Sequence, residues 1–324
     1  MNERKVLARA ATLAEPWMTF PNPRVGCVIV DARGQTVGEG AHESDGGPHA
    51  EIHALRAAGG RAQGGTAFVT LEPCAHIGRT GSCAQALIDA GIARVVFGVA
   101  DPNPTAAGGA GLLRTAGVDV DFLASPESER VNEAWLHAMR TGRPFVTLKL
   151  ATTLDGRVAA RAGVETRISN DASRRRVHAL RSRVDAVLVG SNTALVDDPK
   201  LTVRDVPSGH QPQRFVMGQR DLPGHLWMFT SGTPAEQLRT HEPEVALAEL
   251  QRRSVRHLLI EGGPTVAAAF LALDLVDECI WITAPRVFGA GPTISEFLPG
   301  SAHNWVRRET VDIDGDLWSY LRVP

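Results

Sequence analysis

The sequence predicts an α/β protein built from two domains. Its 324 residues are about twice the length of an ordinary domain. In both halves, short apolar runs typical of strands alternate with amphipathic runs typical of helices, a pattern that favours sheets covered by helices. The stretch Thr141-Gly142-Arg143-Pro144 places a glycine helix stop before a proline, which makes it the best domain boundary. We therefore assign residues 1–143 to one domain and residues 144–324 to another.

The composition excludes several classes of protein. Hydrophobic residues make up 43% and charged residues 22% of the chain, as in ordinary globular proteins. The net charge of −2 provides no basic field for nucleic acid or an anionic membrane. No apolar run approaches the length of a membrane span, and the N-terminal segment lacks the apolar core of a signal peptide. The four cysteines are too scattered for a disulfide framework, so we expect a cytoplasmic protein.

The elements of the first domain follow from the period of the apolar residues. Helical spacing predicts a first helix over residues 2–15, and the prolines of Pro21-Asn22-Pro23 predict a stiff loop after it. Residues 38–42 are interpreted as leading into a glycine-rich turn. Apolar runs predict strands at 25–30, 66–71, 94–99 and 118–122. Further helices are predicted from residue 51, at 84–90, around 112–115 and at 126–140.

The second domain is interpreted in the same way. Asn170 and Asp171 predict the cap of a helix that turns Val177, Leu180 and Val184 inward. The strand at 257–260 runs into a Glu-Gly-Gly-Pro-Thr turn and an alanine-rich helix, and residues 196–199 are interpreted as a turn. Other strands are predicted at 145–150, 186–190, 278–283 and 317–323.

One stretch carries the residue types of a catalytic zinc site. His49 is followed by Glu51 at the start of a helical run, and Cys74 and Cys83 come after the next strand. One imidazole and two thiolates suit a tetrahedral Zn²⁺ and leave its fourth position open for water. Glu51 can then face that water without being a ligand, as the glutamate of zinc deaminases does. The alternatives are a structural zinc, which would need a fourth protein ligand, or a core histidine with two buried thiols.

The motifs of both halves resemble the bifunctional deaminase–reductase family of riboflavin biosynthesis. Eight residues separate Cys74 from Cys83 where most zinc deaminases have two, and this longer loop is similar to that of the riboflavin-pathway deaminases. The matching stretches of the first half are 21–26, 48–51, 72–74, 78–80 and 101–104. Those of the second half are 142–144, 149–150, 154–156, 197–199, 201–204 and 261–264. The resemblance implies a cytidine-deaminase-like α/β/α domain joined to a dihydrofolate-reductase-like α/β domain.

The resemblance also implies two reactions and their residues. In the first half, zinc held by His49, Cys74 and Cys83, with Glu51 as the catalytic proton shuttle, would deaminate 2,5-diamino-6-ribosylamino-4(3H)-pyrimidinone 5′-phosphate. The substrate contacts implied there are Asn22, His42, His76, Arg79 and Asn103. Without the motif, a lone histidine such as His42 or His76 would more often be an ordinary surface residue.

In the second half, the resemblance implies that NADPH reduces the ribosyl group to a ribityl chain. The implied catalytic residues are Lys149 and Glu261. The implied cofactor contacts are Ala151, Arg167, Thr193, Asp197, Gly263, Pro264 and Thr265, and the implied substrate contacts are Glu165, Arg181, Leu201, Arg204 and Glu261. The Gly-Gly-Pro turn would offer backbone N–H groups to a phosphate. A run of arginines, 174–176, is interpreted as a solvated helix face.

The second half also departs from the family pattern at three places. Thr153 stands where the family usually has serine, Arg167-Ile168-Ser169 replaces a Trp-Ile-Thr motif, and Gly218 ends a strand that often ends in an acidic residue. The alternative is therefore a deaminase whose second half only binds nucleotide or holds an oligomer. A deaminase acting on RNA or DNA would need a basic face with stacking aromatic residues, which this composition does not offer. We expect small-molecule ribotide substrates, no nucleic acid or membrane partner, and a homodimer formed through the reductase half.

Overall fold

The computed structural model describes residues 2–75, 81–297 and 304–324. These residues divide into the units Met1–Gly142 and Arg143–Pro324, and each unit folds around a sheet of its own. Among the described residues, no helix is both long enough and apolar enough to cross a membrane.

The first unit is a mixed sheet with helices on both faces. Its strands are β1 (Gly26–Val30), β2 (Thr36–Ala41), β3 (Thr66–Val69), β4 (Arg94–Phe97) and β5 (Asp119–Phe122). Its helices are α1 (Glu3–Ala14), α2 (Ala50–Ala58), α3 (Cys83–Asp89), α4 (Gly109–Thr115), α5 (Pro126–Val131) and α6 (Glu133–Thr141). The strand order is β2-β1-β3-β4-β5; β1 is antiparallel to both of its neighbours, and β3, β4 and β5 are parallel.

Alternate residues of these strands pack into two separate apolar layers, one on each face of the sheet. Val28 and Phe68 face α1, which contributes Leu7. Ile29 and Val69 face the other way, toward α2, α3 and α4. This period of two along each strand produces the α/β/α layering that the resemblance implies, and the fold expectation for this half is confirmed.

The glycine-rich segment 38–42 does lead into a turn, at Asp45 and Gly46, but most of it is strand β2, which the sequence patterns did not assign. Gly38 and Gly40 lie on the side of β2 that faces α2. A Cβ on Gly38 would stand 2.2 Å from the Ala54 carbonyl oxygen, and one on Gly40 would stand 2.5 Å from that of Ala50. The glycines are there because the helix backbone lies directly on the strand, a use that local turn preferences do not reveal.

The helix expected over residues 126–140 is interrupted at Asn132. The Asn132 side chain is buried and pairs with both backbone groups of Arg24: its Oδ1 accepts from the Arg24 N–H at 2.8 Å, and its Nδ2 donates to the Arg24 carbonyl at 2.7 Å. The break between α5 and α6 therefore fixes the loop that carries Asn22. After the break, α6 ends at Gly142, which has a φ of 74° in the left-handed region that favours glycine.

The second unit is a larger mixed sheet, also covered on both faces. Its strands are β6 (Phe145–Thr153), β7 (Ala186–Gly190), β8 (Gln213–Met217), β9 (Glu236–Leu238), β10 (His257–Ile260), β11 (Glu278–Ala284), β12 (Val306–Ile313) and β13 (Asp316–Arg322). Its helices are α7 (Asp171–Arg181), α8 (Ser191–Asp197), α9 (Trp227–Thr230), α10 (Pro243–Arg252) and α11 (Pro264–Leu271). The order is β12-β13-β11-β6-β10-β7-β8-β9, parallel from β11 to β9 and antiparallel on either side of β13.

The parallel strands of this unit are buried on both faces. Leu148 and Ile260 pack toward α10 and α11, whereas Val189 and Leu259 pack on the opposite face with α8. The helix cap predicted at Asn170 is confirmed, because its side chain accepts from the Ser173 N–H at 2.7 Å. These layers are those of the expected α/β domain.

Several expectations for the second unit are wrong in detail. Residues 196 and 197 close α8 rather than opening a turn, and the chain turns at Asp198 in a left-handed conformation. Sequence patterns assigned no element to 221–256, where α9, β9 and α10 lie; α9 and β9 are too short to show a period, whereas α10 has helical spacing and was missed. Arg176 is not simply solvated, since its guanidinium lies 5.5 Å from the centre of the Trp318 ring and donates to the Tyr320 hydroxyl at 2.9 Å.

Candidate functional site

Three potential metal ligands meet at one edge of the first sheet. His49 is the residue before α2, Cys74 follows β3, and Cys83 is the first residue of α3. Their ligand atoms all lie within 4.8 Å of one another, with the His49 Nδ1 3.1 Å from the Cys83 Sγ. Because α2 and α3 both begin at this edge, short local segments bring together residues that are 34 positions apart.

The chemistry of these side chains fits Zn²⁺. An imidazole nitrogen and two sulfurs are the ligand types that zinc prefers, and the Cys83 N–H points at the Cys74 Sγ at 3.4 Å, a bond that stabilises a thiolate. A hydrogen bond from the Cys83 thiol lowers the pKa of Cys74 well below its ordinary value, which favours a thiolate at this position. Three protein ligands leave room for a fourth ligand from solvent.

Glu51 lies beside these ligands as a buried carboxyl group. Its Oε2 atom has no hydrogen-bond partner among the described residues, although the side chain is almost completely buried. Burial is the main effect that raises the pKa of Glu51 above its ordinary value, and the charge of the nearby Cys74 sulfur raises it further. A buried carboxyl with an unused oxygen and a raised pKa is suited to carrying a proton rather than to binding the metal.

Asn22 and His42 form the next wall of the site. The His42 Nδ1 lies 3.1 Å from the Pro48 carbonyl oxygen, which can only accept, so Nδ1 carries the proton. Burial lowers the pKa of His42, and Nε2 of the neutral ring faces the Asn22 amide at 3.4 Å. Asn22 also donates to Asp45 at 3.0 Å. Both side chains are held in fixed orientations next to His49.

Asn103 reaches the site from a turn whose backbone is hydrogen-bonded to the Glu72 side chain. Glu72 directly precedes the Pro-Cys pair, and its carboxylate accepts from the backbone N–H groups of Asp101, Gly108 and Ala110 at 3.0–3.4 Å. The turn is also closed from within by the Asp101 side chain, which accepts from the Asn103 N–H at 2.8 Å. Sequence reasoning noted Glu72 as part of a motif but gave it no role.

These side chains line a cleft of about 160 Å³. Of the residues singled out in the sequence, the cleft contains Asn22, His42, His49, Glu51, Cys74 and Asn103. His76 and Arg79 lie outside the described residues. The indole of Trp135 on α6 is a wall that sequence reasoning missed, because an aromatic residue on an apolar helix face is typical of an ordinary core position.

In the second unit, three predicted residues form a buried charge cluster. The Glu261 carboxylate accepts from the Arg181 Nε at 2.5 Å and from a terminal nitrogen of the same guanidinium at 3.0 Å. The Lys149 Nζ lies 3.4 Å from the same carboxylate. Burial alone would raise the pKa of Glu261, but the charges of Arg181 and Lys149 outweigh it and hold the pKa at about 2. Glu261 is therefore ionised at any working pH.

A cleft of about 230 Å³ lies at the carboxyl ends of β7 and β10. It is lined by five of the predicted cofactor residues, which are Thr193, Asp197, Gly263, Pro264 and Thr265. Asn192 and Arg161 also line it, and sequence reasoning did not single them out. The charges of Lys149 and Glu165 both act on Asp197, which places the charge cluster next to this cleft. In parallel α/β sheets, ligands bind at this edge.

The Gly-Gly-Pro turn offers fewer free N–H groups than expected. The Gly263 N–H donates to the Thr193 hydroxyl at 2.9 Å, and Pro264 has no N–H. The Gly263 N–H is therefore engaged within the protein, and of Gly263, Pro264 and Thr265 only Thr265 has a further backbone N–H. Thr193 instead joins α8 to the start of α11, and thereby fixes the shape of the cleft.

Other predicted residues of this half lie outside the cleft. Ala151 is on β6 and packs in an apolar cluster with Val177. Leu201 has a buried side chain and a φ of 53°, so only its backbone can meet a ligand. Arg167 is exposed and pairs with Asp171 at 2.7 Å. The Arg204 guanidinium is exposed and contacts the Thr202 hydroxyl at 2.8 Å.

Two of the positions that depart from the family pattern have clear local roles. The Thr153 hydroxyl donates to the Asp155 carboxylate at 2.5 Å and accepts from the Arg157 N–H at 2.9 Å, so it fixes the Leu-Asp-Gly turn. Gly218 has a φ of 142°, and a Cβ there would stand 2.6 Å from the Ser191 hydroxyl. A side chain at Gly218 would therefore clash with the start of α8.

Models of two protein families match the two halves of the chain. The cytidine and deoxycytidylate deaminase zinc-binding region matches residues 1–99, and the RibD C-terminal domain matches residues 144–314. The second match favours a reductase over the alternative in which the second half no longer reduces. Zinc and NADPH are accordingly the cofactors of the two halves.

Relatives of known name match nearly the whole chain. The riboflavin biosynthesis protein RibD of Mycobacterium tuberculosis is 45% identical over 85% of this chain and 81% of its own, and that of Escherichia coli K12 is 40% identical over 93% and 92%. The solved structure of Acinetobacter baumannii RibD (form 1) is 34% identical and superimposes with a TM-score of 0.93 over 99% of both chains. A Thermotoga maritima structure titled as a diaminohydroxyphosphoribosylaminopyrimidine deaminase/5-amino-6-(5-phosphoribosylamino)uracil reductase is 30% identical, with a TM-score of 0.89 over 99% of both chains. This chain belongs to the family of the riboflavin biosynthesis protein RibD.

Proposed function

We propose that residues 1–143 carry the deaminase, and residues 144–324 the reductase, of a bifunctional enzyme of riboflavin biosynthesis. The deaminase converts 2,5-diamino-6-ribosylamino-4(3H)-pyrimidinone 5′-phosphate to the corresponding uracil, and the reductase opens its ribosyl group to a ribityl chain. The observation that carries the proposal is the convergence of His49, Cys74 and Cys83 beside the buried carboxyl of Glu51.

In the deaminase, the chain supplies ligands, a proton carrier and a shaped cleft. Zinc, when bound to His49, Cys74 and Cys83, lowers the pKa of a water in its open position toward about 7. Glu51 carries the two protons of the attacking water in turn, one to the pyrimidine ring nitrogen and one to the departing amino group, a role that its raised pKa supports. Asn22, His42 and Asn103 orient the ring, and Trp135 excludes water from one side.

In the reductase, the chain positions the sugar against the cofactor. NADPH supplies the hydride. Thr193, Asp197 and the turn at Gly263 shape the cleft for the cofactor, with Pro264 and Thr265 at its edge. Glu261 fixes Lys149 close to the cleft, where the ammonium group can give a proton to the ring oxygen of the opening sugar. Arg204 has an exposed guanidinium that can meet the 5′-phosphate.

The remaining predicted contacts keep smaller roles in the proposal. Glu165 and the backbone of Leu201 would contact the sugar, and Ala151 and Arg167 would contact the cofactor, as the resemblance implies. Arg181 is engaged by Glu261, so it acts by holding that carboxylate as much as by binding substrate. His76 and Arg79 keep the deaminase contacts that the resemblance implies.

The test uses purified full-length chain, the diaminopyrimidinone ribotide and NADPH. Glu51→Gln should keep its zinc but lose deamination by a factor of about 10²–10⁴, the usual contribution of a positioned acid–base group. The same variant should still oxidise NADPH when it is given the deaminated ribotide, because the reductase residues are untouched. Deamination by Glu51→Gln at the parent rate would remove Glu51 from the mechanism. A parent enzyme that does not oxidise NADPH with the deaminated ribotide would contradict the reductase assignment.

We further propose that the chain is a cytoplasmic homodimer assembled through the reductase half. Three apolar side chains of that half are strongly exposed, namely Leu154, Val287 and Leu317. Leu154 follows β6 and donates its N–H to the Arg286 carbonyl, and Leu317 pairs with Thr283 near the end of β11, so all three lie at the same end of the sheet. The four cysteines are free, as in a reducing compartment. Sedimentation velocity of the parent and of Val287→Asp tests the dimer.

A further inference from the structure

His178 is a buried histidine next to the proposed phosphate contact of the reductase. It lies on the inner side of α7 and is 4% exposed. Its Nδ1 accepts a hydrogen bond from the backbone N–H of Arg204 at 3.1 Å. Its Nε2 lies 3.6 Å from the carboxylate of Asp205, the following residue. One imidazole therefore contacts two successive residues of the segment that carries Arg204.

Hydrogen bonds from side chains hold the shape of this segment. Residues 201–212 form neither helix nor strand, and Asp205 has a φ of 60°. Val203 is held by the Gln211 side chain, which accepts from the Val203 N–H at 2.8 Å and donates to its carbonyl at 3.0 Å. Arg204 is held by His178. Without these three bonds, the backbone would have to satisfy its polar groups with solvent.

The bond to Arg204 exists in only one protonation state of the ring. Nδ1 can accept only while it carries no proton, so the neutral ring must hold its proton on Nε2, toward Asp205. Burial is the largest effect that lowers the pKa of His178, followed by the charges of Arg181 and Arg204, while Asp205 and Glu261 oppose it. The ring is therefore neutral at pH 7 and becomes protonated only below its ordinary pKa of 6.5.

We propose that His178 is a positioning residue of the reductase: its unprotonated Nδ1 holds the Arg204 backbone so that the guanidinium meets the 5′-phosphate of the ribotide. Protonation of the ring releases this hold. The inference rests on the proposed contact between Arg204 and the phosphate. It adds a residue that touches neither substrate nor cofactor, and a pH-sensitive element in substrate binding.

The first measurement is steady-state reduction of preformed deaminated ribotide by the full-length chain at pH 7.5. His178→Ala should raise the KM for the ribotide by about 3- to 10-fold, the factor that one intramolecular hydrogen bond is commonly worth. The kcat and the KM for NADPH should stay close to the parent values. His178→Asn is the matched control, because its amide oxygen stands where Nδ1 stood and can accept from Arg204. It should restore the parent KM.

The second measurement is the pH dependence of the ribotide KM. As the pH falls below 6.5, the parent should lose affinity faster than His178→Asn, because only the parent ring takes up a proton. The substrate phosphate also titrates near a pKa of about 6, but it does so equally in both proteins. The difference between the two profiles therefore isolates His178. Superimposable profiles would overturn the proposal.

A substrate without the 5′-phosphate separates this inference from the function on which it rests. If Arg204 meets the phosphate, Arg204→Ala should raise the KM of the phosphorylated substrate only. If it raises neither KM, the phosphate contact itself is wrong. If Arg204→Ala behaves as expected but His178→Ala raises the KM for NADPH and for both substrates alike, His178 is a general structural residue. That result would overturn the inference and leave the proposed function intact.

Discussion

The charge cluster around Glu261 should contribute strongly to the stability of the second unit. The change is Glu261→Gln, which keeps the shape of the side chain and removes its charge. The Glu261 side chain is 5% exposed, and Arg181 and Lys149 are 11% and 18% exposed. The variant therefore leaves two largely buried cations without their shared counter-ion, a situation that is far more costly than losing a surface ion pair.

The size of the effect follows from the pKa of the carboxyl group. The pKa of Glu261 is held at about 2, against an ordinary value of 4.5. Each pKa unit corresponds to about 1.4 kcal/mol, so the ionised carboxylate stabilises the fold by about 3 kcal/mol. Because the folded pKa is lowered, this stabilisation is complete above pH 4.5 and is lost as the pH falls toward 2. Glu261→Gln should lack it at every pH.

The assay is urea-induced unfolding of the full-length chain, followed by hydrogen exchange of peptides from β10 and α7. At pH 7, Glu261→Gln should lower the free energy of unfolding by about 3 kcal/mol, and the difference from the parent should shrink below pH 4. The control is Asp221→Asn, which removes a partner of Arg239 from an exposed ion pair at 2.9 Å. It should cost less than about 1 kcal/mol. An equal, small loss in both variants would refute the reasoning, because the cluster would then be no better than a solvated pair.

Two further predictions concern the deaminase unit. Cys83→Ser should lose most of its bound zinc in metal analysis, because the substitution removes one of the three ligands. The control Cys27→Ser lies in a buried strand and should keep its zinc. Equal zinc contents in the two variants would contradict the ligand assignment. Gly40→Ala should lower the thermal midpoint of this unit by several degrees, because the new Cβ would stand 2.5 Å from the Ala50 carbonyl oxygen. The control Gly60→Ala has no atom within 4 Å of its Cβ and should unfold close to the parent temperature. A Gly40→Ala midpoint equal to that of Gly60→Ala would show that α2 can move away from β2 at little cost.

The fold class and the metal ligands could be predicted because their signals are local. His49 and Glu51 share one helix start, and Cys74 and Cys83 both follow the next strand within a few positions of each other, so their spacing in the sequence indicates the chemistry. Strand–helix alternation similarly predicts a covered sheet without any knowledge of strand order.

What could not be predicted depends on contacts between distant positions. The two bonds from Arg181 to Glu261 join residues 80 positions apart, and the bond from Thr193 to Gly263 joins residues 70 apart. The reason for a glycine at position 40 is likewise visible only once α2 is seen to pack against β2. In each case the deciding partner is set by tertiary packing, which no local pattern records.

Because two of its cysteines are buried inside strands, the reactivity of the remaining thiols can report whether the metal site of this chain is filled. Cys27 and Cys279 are almost fully buried, and burial raises the pKa of both thiols, that of Cys279 to about 12. Both are therefore poor nucleophiles. Cys74, in contrast, lines the deaminase cleft, and a bound metal would occupy its sulfur. Alkylation of the folded protein with a small reagent should thus report the fraction of chains that lack metal, without any substrate and without interference from the reductase half.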